Sequence, residues 1–152
     1  MKGRAFLLAL AAFAAAAVVS AADKSLLNLD KDGVAIQGYD PVAFFTVKAP
    51  VKGSPGFTSE FRGAKYRFHS AKNKAAFDAD PARYEPQFGG FCAFGVSRGR
   101  LVEIDVTATQ IVDGRLLLQY SPGVRDDFTK DAAGNLKKAD AHWPKLVEKR
   151  GK

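Results

Sequence analysis

Cysteine occurs once in this 152-residue chain, at Cys92, so no intramolecular disulfide can hold the fold together. Stability must come from packing. The material is present: twelve Phe, four Tyr and one Trp, each able to bury on the order of 150–250 Å², in a chain long enough for one core.

The first residues read MKGRAFLLALAAFAAAAVVSAADK. Lys2 and Arg4 precede a continuous apolar run, Ala5–Val19, and Ser20-Ala21-Ala22 supplies the small residues at which a signal peptide is cut. The run falls short of the roughly 20 residues that span a bilayer. Residues 1–22 are expected to be a signal peptide and 23–152 one domain, periplasmic or secreted, with no stable membrane insertion after cleavage. The formal net charge is +7, and Lys2 and Arg4 account for two of it. The remaining cations are spread along the chain, apart from the tail KLVEKRGK, as on a solvated face. Together with export, this argues against a nucleic-acid partner.

Past the leader no repeat or linker announces itself. Asp32-Gly33, Arg62-Gly63 and Asp113-Gly114 are turn signals, and the last, between Gln110–Val112 and Arg115–Tyr120, predicts a tight hairpin. KAPVKGSPGF reads as a loop, and Lys65–His69 as a strand. Ser70 is placed to cap a helix through AKNKAAFDAD that stops before Pro81. Phe91–Val96 and Leu101–Ile104 read as strands. Helices are expected over Val124–Lys130 and Asn135–Leu146, separated by AAGN and interrupted near Pro144. The fold class is α+β, a small antiparallel sheet with helices packed against it.

Few residues carry chemistry. Cys92 is the one soft donor and strong nucleophile, set among Phe91, Phe94, Gly89 and Gly90, and equally readable as a small buried hydrophobe. His69 stands at a strand end, and His142, beside Trp143, reads as a surface or packing residue. One Cys and two His cannot assemble a closed zinc site without carboxylates. A soft, low-coordinate ion such as Cu(I) remains compatible with one thiolate and one imidazole. No HExxH, CxxC or glycine-rich phosphate loop is present. Asp40, Asp78, Asp80 and Glu85 show no spacing that selects a catalytic pair, and Asp40 in GYDP is most simply a turn or cap residue.

The stretches GYDPVAFF (38–45), VKGSPGF (51–57), YRFHSAKNKAAFDADPARYEPQFGGFCAFGV (66–96), IVDGRLLLQY (111–120) and ADAHWPKL (139–146) resemble the YHS domain family, in its branch of small exported bacterial proteins. The resemblance implies a heavy-metal-associated module whose ligands are cysteines of a DPVCG-like turn and a YFCSxxC-like junction. In this chain those positions hold Ala43, His69 and Asn73, or Lys72 if the spacing is read one residue shorter, so only His69 keeps ligand character. The exported branch carries its cysteine in GGFCAFGV. If Cys92 lies on a strand beside 65–69, it meets His69, with Tyr39 or Asp40 at the rim of the site. The expected function is a module binding a soft metal, Cu(I) or another, or a small ligand, through Cys92 and His69, with no catalytic residue assigned. The alternatives are an interaction or scaffold domain with a protein partner and a structural Cys92, or a thiol redox protein.

Overall fold

The computed structural model describes residues 24–152, so the leader expected over 1–22 lies outside the described residues. The chain is α+β, and its strands form two hairpins. In the first, β1 (Ser54–Phe61) pairs antiparallel with β2 (Ala64–Phe68). In the second, β3 (Asp105–Val112) pairs antiparallel with β4 (Arg115–Gln119). Each turns on two residues of positive φ, Arg62 and Gly63 at 49° and 86°, Asp113 and Gly114 at 51° and 72°. That is the type I′ geometry, whose twist matches the flanking strands. The antiparallel pairing is thereby divided between two two-stranded sheets.

Among the described residues there are six α-helices: α1 (Ala43–Thr46), α2 (Ala71–Ala79), α3 (Pro81–Tyr84), α4 (Ala93–Ser97), α5 (Pro122–Thr129) and α6 (Ala132–Arg150). Ser70 caps α2 as expected, its Oγ accepting the Asn73 N–H at 3.1 Å, and α2 stops before Pro81, which opens α3.

Five expectations are corrected. The loop predicted over KAPVKGSPGF already contains the start of β1. Ser54 pairs with Phe68 and Thr58 with Arg67, so Pro55, Gly56 and Phe57 bulge out of the ladder, where a residue without an N–H is tolerated. The strand predicted over 91–96 is a tight turn followed by α4. Phe88, Gly89 and Gly90 hold φ of 55°, 60° and 82°, which swings the chain round and leaves Cys92 as the N-cap of α4. Leu101–Ile104 forms no ladder. Finally, the break between α5 and α6 falls at Lys130-Asp131, not at AAGN, because the Asp131 carboxylate accepts the Gly134 N–H at 3.1 Å and starts the helix early. Pro144 then lies inside α6 without ending it.

The two hairpins share one register. Ser54, Thr58, Ser59, Glu60 and Phe61 find their partners as Asp105, Thr109, Gln110, Ile111 and Val112 do, with the bulge in the same place. After each second strand comes one exposed residue, His69 or Tyr120, and then a capping serine. Ser121 Oγ accepts the Val124 N–H at 3.2 Å, as Ser70 Oγ accepts that of Asn73. Next come Phe77 and Phe128, 1% and 0% exposed, and then Asp80 and Asp131 at φ −154° and −145°.

The match continues upstream. Ile36, Gln37 and Gly38 hold φ of 53°, 53° and 81°, like Phe88, Gly89 and Gly90. The turns close alike, Tyr39 N–H donating to Ile36 O and Phe91 N–H to Phe88 O. Ala35 N–H donates to Lys65 O on β2, and Gln87 N–H to Leu116 O on β4. Residues 34–80 and 86–131 are therefore two copies of one structural unit, a repeat that the sequence reading did not expect.

Each unit packs its own aromatic centre. The Phe77 ring meets those of Phe61, Tyr66 and Phe68, and Phe128 meets Phe94 edge-on. α6 covers the second unit, its Trp143 edge-on to Phe88. At the far end of α6 the backbones of Ser25 and Lys152 bond to each other in both directions, at 3.1 and 3.0 Å.

Candidate functional site: the Cys92 crevice

Asp40 and Cys92 occupy the same place in the two units, each just before a short helix. Asp40 is fully buried and its carboxylate is saturated. Oδ1 accepts the Val42 and Ala43 N–H groups at 2.8 and 3.3 Å. Oδ2 accepts the His69 N–H at 2.9 Å and Asn73 Nδ2 at 2.7 Å. It ties the start of α1 to the junction of β2 and α2, as a turn and cap residue does.

In the second unit that work is divided. Cys92 Sγ accepts the Gly95 N–H at 3.5 Å and donates its S–H to Gln119 Oε1 at 3.3 Å. The same amide oxygen accepts the Phe94 N–H at 3.0 Å, and Gln119 Nε2 donates to Gln110 Oε1 at 3.3 Å. Gln119 is itself fully buried, so its side chain replaces half of the missing carboxylate and orients the thiol.

The sequence-predicted set is therefore brought together only in part. His69 meets Asp40, through its backbone, while its imidazole side is exposed. Tyr39 is half-buried, with Lys52 Nζ 4.6 Å from the centre of its ring. Cys92 bridges to Leu118 of β4, not to the strand of His69, and its partners are Gln119 and Gly95. His69, Tyr39 and Asp40 do not line the cavity that Cys92 lines. Among the described residues no three His, Cys, Asp or Glu side chains gather where they could hold a metal ion.

What surrounds Cys92 is a crevice of about 160 Å³, walled by Phe94, Gly95, Val102, Tyr120 and Val124, with exposed Arg98 and Arg100 on its rim. The Arg98 guanidinium lies 4.5 Å from the centre of the Phe94 ring. Neither arginine forms an ion pair among the described residues, unlike Arg62 with Glu85 or Arg115 with Asp140. Gly95 is required by packing, because a Cβ there would lie 2.8 Å from Val102 Cγ2.

Sequence reasoning missed Gln119, Arg98, Arg100 and Tyr120. The signal was the spacing of Ser70, Phe77 and Asp80 repeated by Ser121, Phe128 and Asp131. The expectation that the chain holds no G-x-S-x-G motif is also corrected: Gly95-Val96-Ser97-Arg98-Gly99 has that spacing, the one a nucleophile elbow uses. Ser97 is no such nucleophile: it is 4% exposed, its Oγ donates to Phe94 O at 2.6 Å, and it lies inside α4 rather than on a strand-to-helix turn. His142 packs near Gly99, with a buried Nδ1 that has no partner among the described residues.

Wider cavities lie elsewhere among the described residues, two of them more than twice as large. One of about 340 Å³ is polar, lined by Arg62, Tyr66, Glu85, Arg115, Asp140 and Trp143 among others. Burial pushes the Glu85 carboxyl up, against the pull of Arg62, and raises the Tyr66 phenol. The other, about 390 Å³, lies where Phe44, Phe45 and Lys48 face Thr109, Gln110 and Ile111. Set against protein-family models, curated proteins and solved structures, the chain matches none.

Proposed function

We propose that this chain is an exported small-ligand-binding module of the YHS type, periplasmic or secreted, and that its binding site is the Cys92 crevice. One observation carries the reading. The single thiol lies against an apolar crevice whose rim holds two guanidinium groups without counter-charges. A pocket with apolar walls and a few convergent polar groups is the usual form of a ligand site. A free thiol in an oxidising compartment is accounted for because no second cysteine exists to pair with Cys92.

Labelling with iodoacetamide, a small neutral electrophile, tests the reading. Cys92 is expected to react in the native protein faster than global unfolding exposes it. Reaction only at the unfolding rate would mean a sealed sulfur and would end the proposal. Native mass spectrometry with Cu(I) examines the metal alternative. Loading lost in both Cys92→Ser and His69→Ala would establish a metal site and displace the small-ligand reading.

A second reading, an interaction domain, is favoured by the 390 Å³ crevice between α1 and β3, lined in part by Ile111 at 40% exposure. It predicts that Ile111→Asp abolishes partner capture while the fold and Cys92 labelling stay intact.

A further inference from the structure

The two units differ in what fills the space where the second strand meets the second helix. In the first unit, Asp40 Oδ2 sits between the His69 N–H and the Asn73 side-chain amide, and these groups close the space. In the second, the corresponding positions hold Cys92, Tyr120 and Val124, and Gly95 stands where the first unit has Ala43. A carboxylate, an amide and a methyl group are gone, and a crevice of about 160 Å³ stands open there.

The backbone donor has stayed. Nothing among the described residues accepts from the Tyr120 N–H, whose counterpart on His69 is taken by a carboxylate oxygen. Arg98 and Arg100 add positive charge at the same rim, and the walls are otherwise apolar.

Resting on the reading of this crevice as a ligand site, we propose that it takes a small organic carboxylate bearing a compact apolar group, the carboxylate standing where Asp40 stands in the first unit. Its oxygens accept from the Tyr120 N–H and from Arg98 or Arg100, charge-assisted contacts of the stronger kind. The apolar part lies between Phe94, Val102 and Val124. An engineered apolar cavity of about 150 Å³ admits benzene, so benzoate is a probe of suitable size.

Benzoate and its uncharged analogue benzyl alcohol are titrated separately into the full mature chain, followed by calorimetry and by the amide resonances. Benzoate is expected to saturate one site and shift the Tyr120 amide, with benzyl alcohol at least tenfold weaker. Arg98→Gln with Arg100→Gln, both exposed, is expected to weaken benzoate at least tenfold. Val124→Asp, which sets a negative charge where the ligand carboxylate would stand, is expected to do the same, its fold checked by an unchanged urea midpoint.

Equal binding of benzyl alcohol would overturn the carboxylate and leave the ligand crevice standing. So would binding of neither probe by a protein whose Cys92 is labelled in the native state. Failure of both probes together with a sealed Cys92 would overturn both proposals. Benzoate binding that ignores the arginine changes, or shifts that map to another cavity, would refute the carboxylate site.

Discussion

Replacing Asp40 with alanine removes the one acceptor shared by four donors. Two of them, the Val42 and Ala43 N–H groups, belong to residues 1% and 2% exposed, where water cannot substitute for the carboxylate. A buried donor left without a partner costs about 1–3 kcal/mol, which gives roughly 2–6 kcal/mol for the pair. The His69 N–H and Asn73 Nδ2 belong to residues nearer the surface and add less. Against a domain stability of about 5–15 kcal/mol, Asp40→Ala is expected to be among the most damaging single changes in the first unit.

Asp40→Asn separates the two sides of the carboxylate. It keeps one oxygen for α1 but turns a donor toward Asn73, and Asn73→Asp in that background restores an acceptor. Urea denaturation of the four proteins, at constant m-value, reads the coupling, expected at about 0.5–3 kcal/mol. A loss below about 1 kcal/mol for Asp40→Ala, or strict additivity of the two exchanges, would refute the account of Asp40 as the clamp of the first unit.

Phe77→Ala and Phe128→Ala remove corresponding rings, each at most 1% exposed, and each is expected to cost about 3–5 kcal/mol in chemical denaturation; a loss below 1 kcal/mol at either would contradict its place at the centre of a unit. Gly89→Ala combines a φ of 60° with a Cβ that would collide with the Leu26 carbonyl oxygen, so it is expected to lower the melting temperature steeply, and an unchanged melt would show that the turn at 88–90 is misplaced. Glu85 has a carboxyl raised from 4.5, first by burial and with Arg62 opposing. The folded state therefore holds its proton longer than the unfolded chain does, and the associated stability is present below about pH 4.5 and lost as pH rises through the raised value. Glu85→Gln is expected to flatten that fall in melts taken from acid to neutral pH, and an unaltered slope would count against it.

The turns and caps were legible because single residues determine them. Asp113-Gly114 and Arg62-Gly63 supply positive φ, Ser70 supplies an oxygen, and Pro81 ends a helix. The α+β class followed from these marks. Cys92 was legible as a residue to watch, but not its surroundings. A run such as FGGFCAFGV has the composition of a strand, and only the left-handed backbone at Phe88 and Gly89 turns it into a cap and a helix. Gln119 could not be picked out, because a buried polar residue in a strand looks like any alternating position until its partners are known. The repeat stayed hidden because so few residues recur, among them Gly38 with Gly90, Gly63 with Gly114, and the Ser, Phe and Asp of the capped helices. Backbone geometry is preserved across the units while the side chains that define each crevice have been exchanged.

The paired backbones of Ser25 and Lys152 bring the two ends of the described chain side by side. A short loop joining them would close the polypeptide into a ring without moving any element, and a new opening between Tyr84 and Pro86 would leave both structural units uncut. Such a circular permutant places the Cys92-bearing unit first in translation order and the Asp40-bearing unit second. Order of synthesis could then be varied independently of the final architecture.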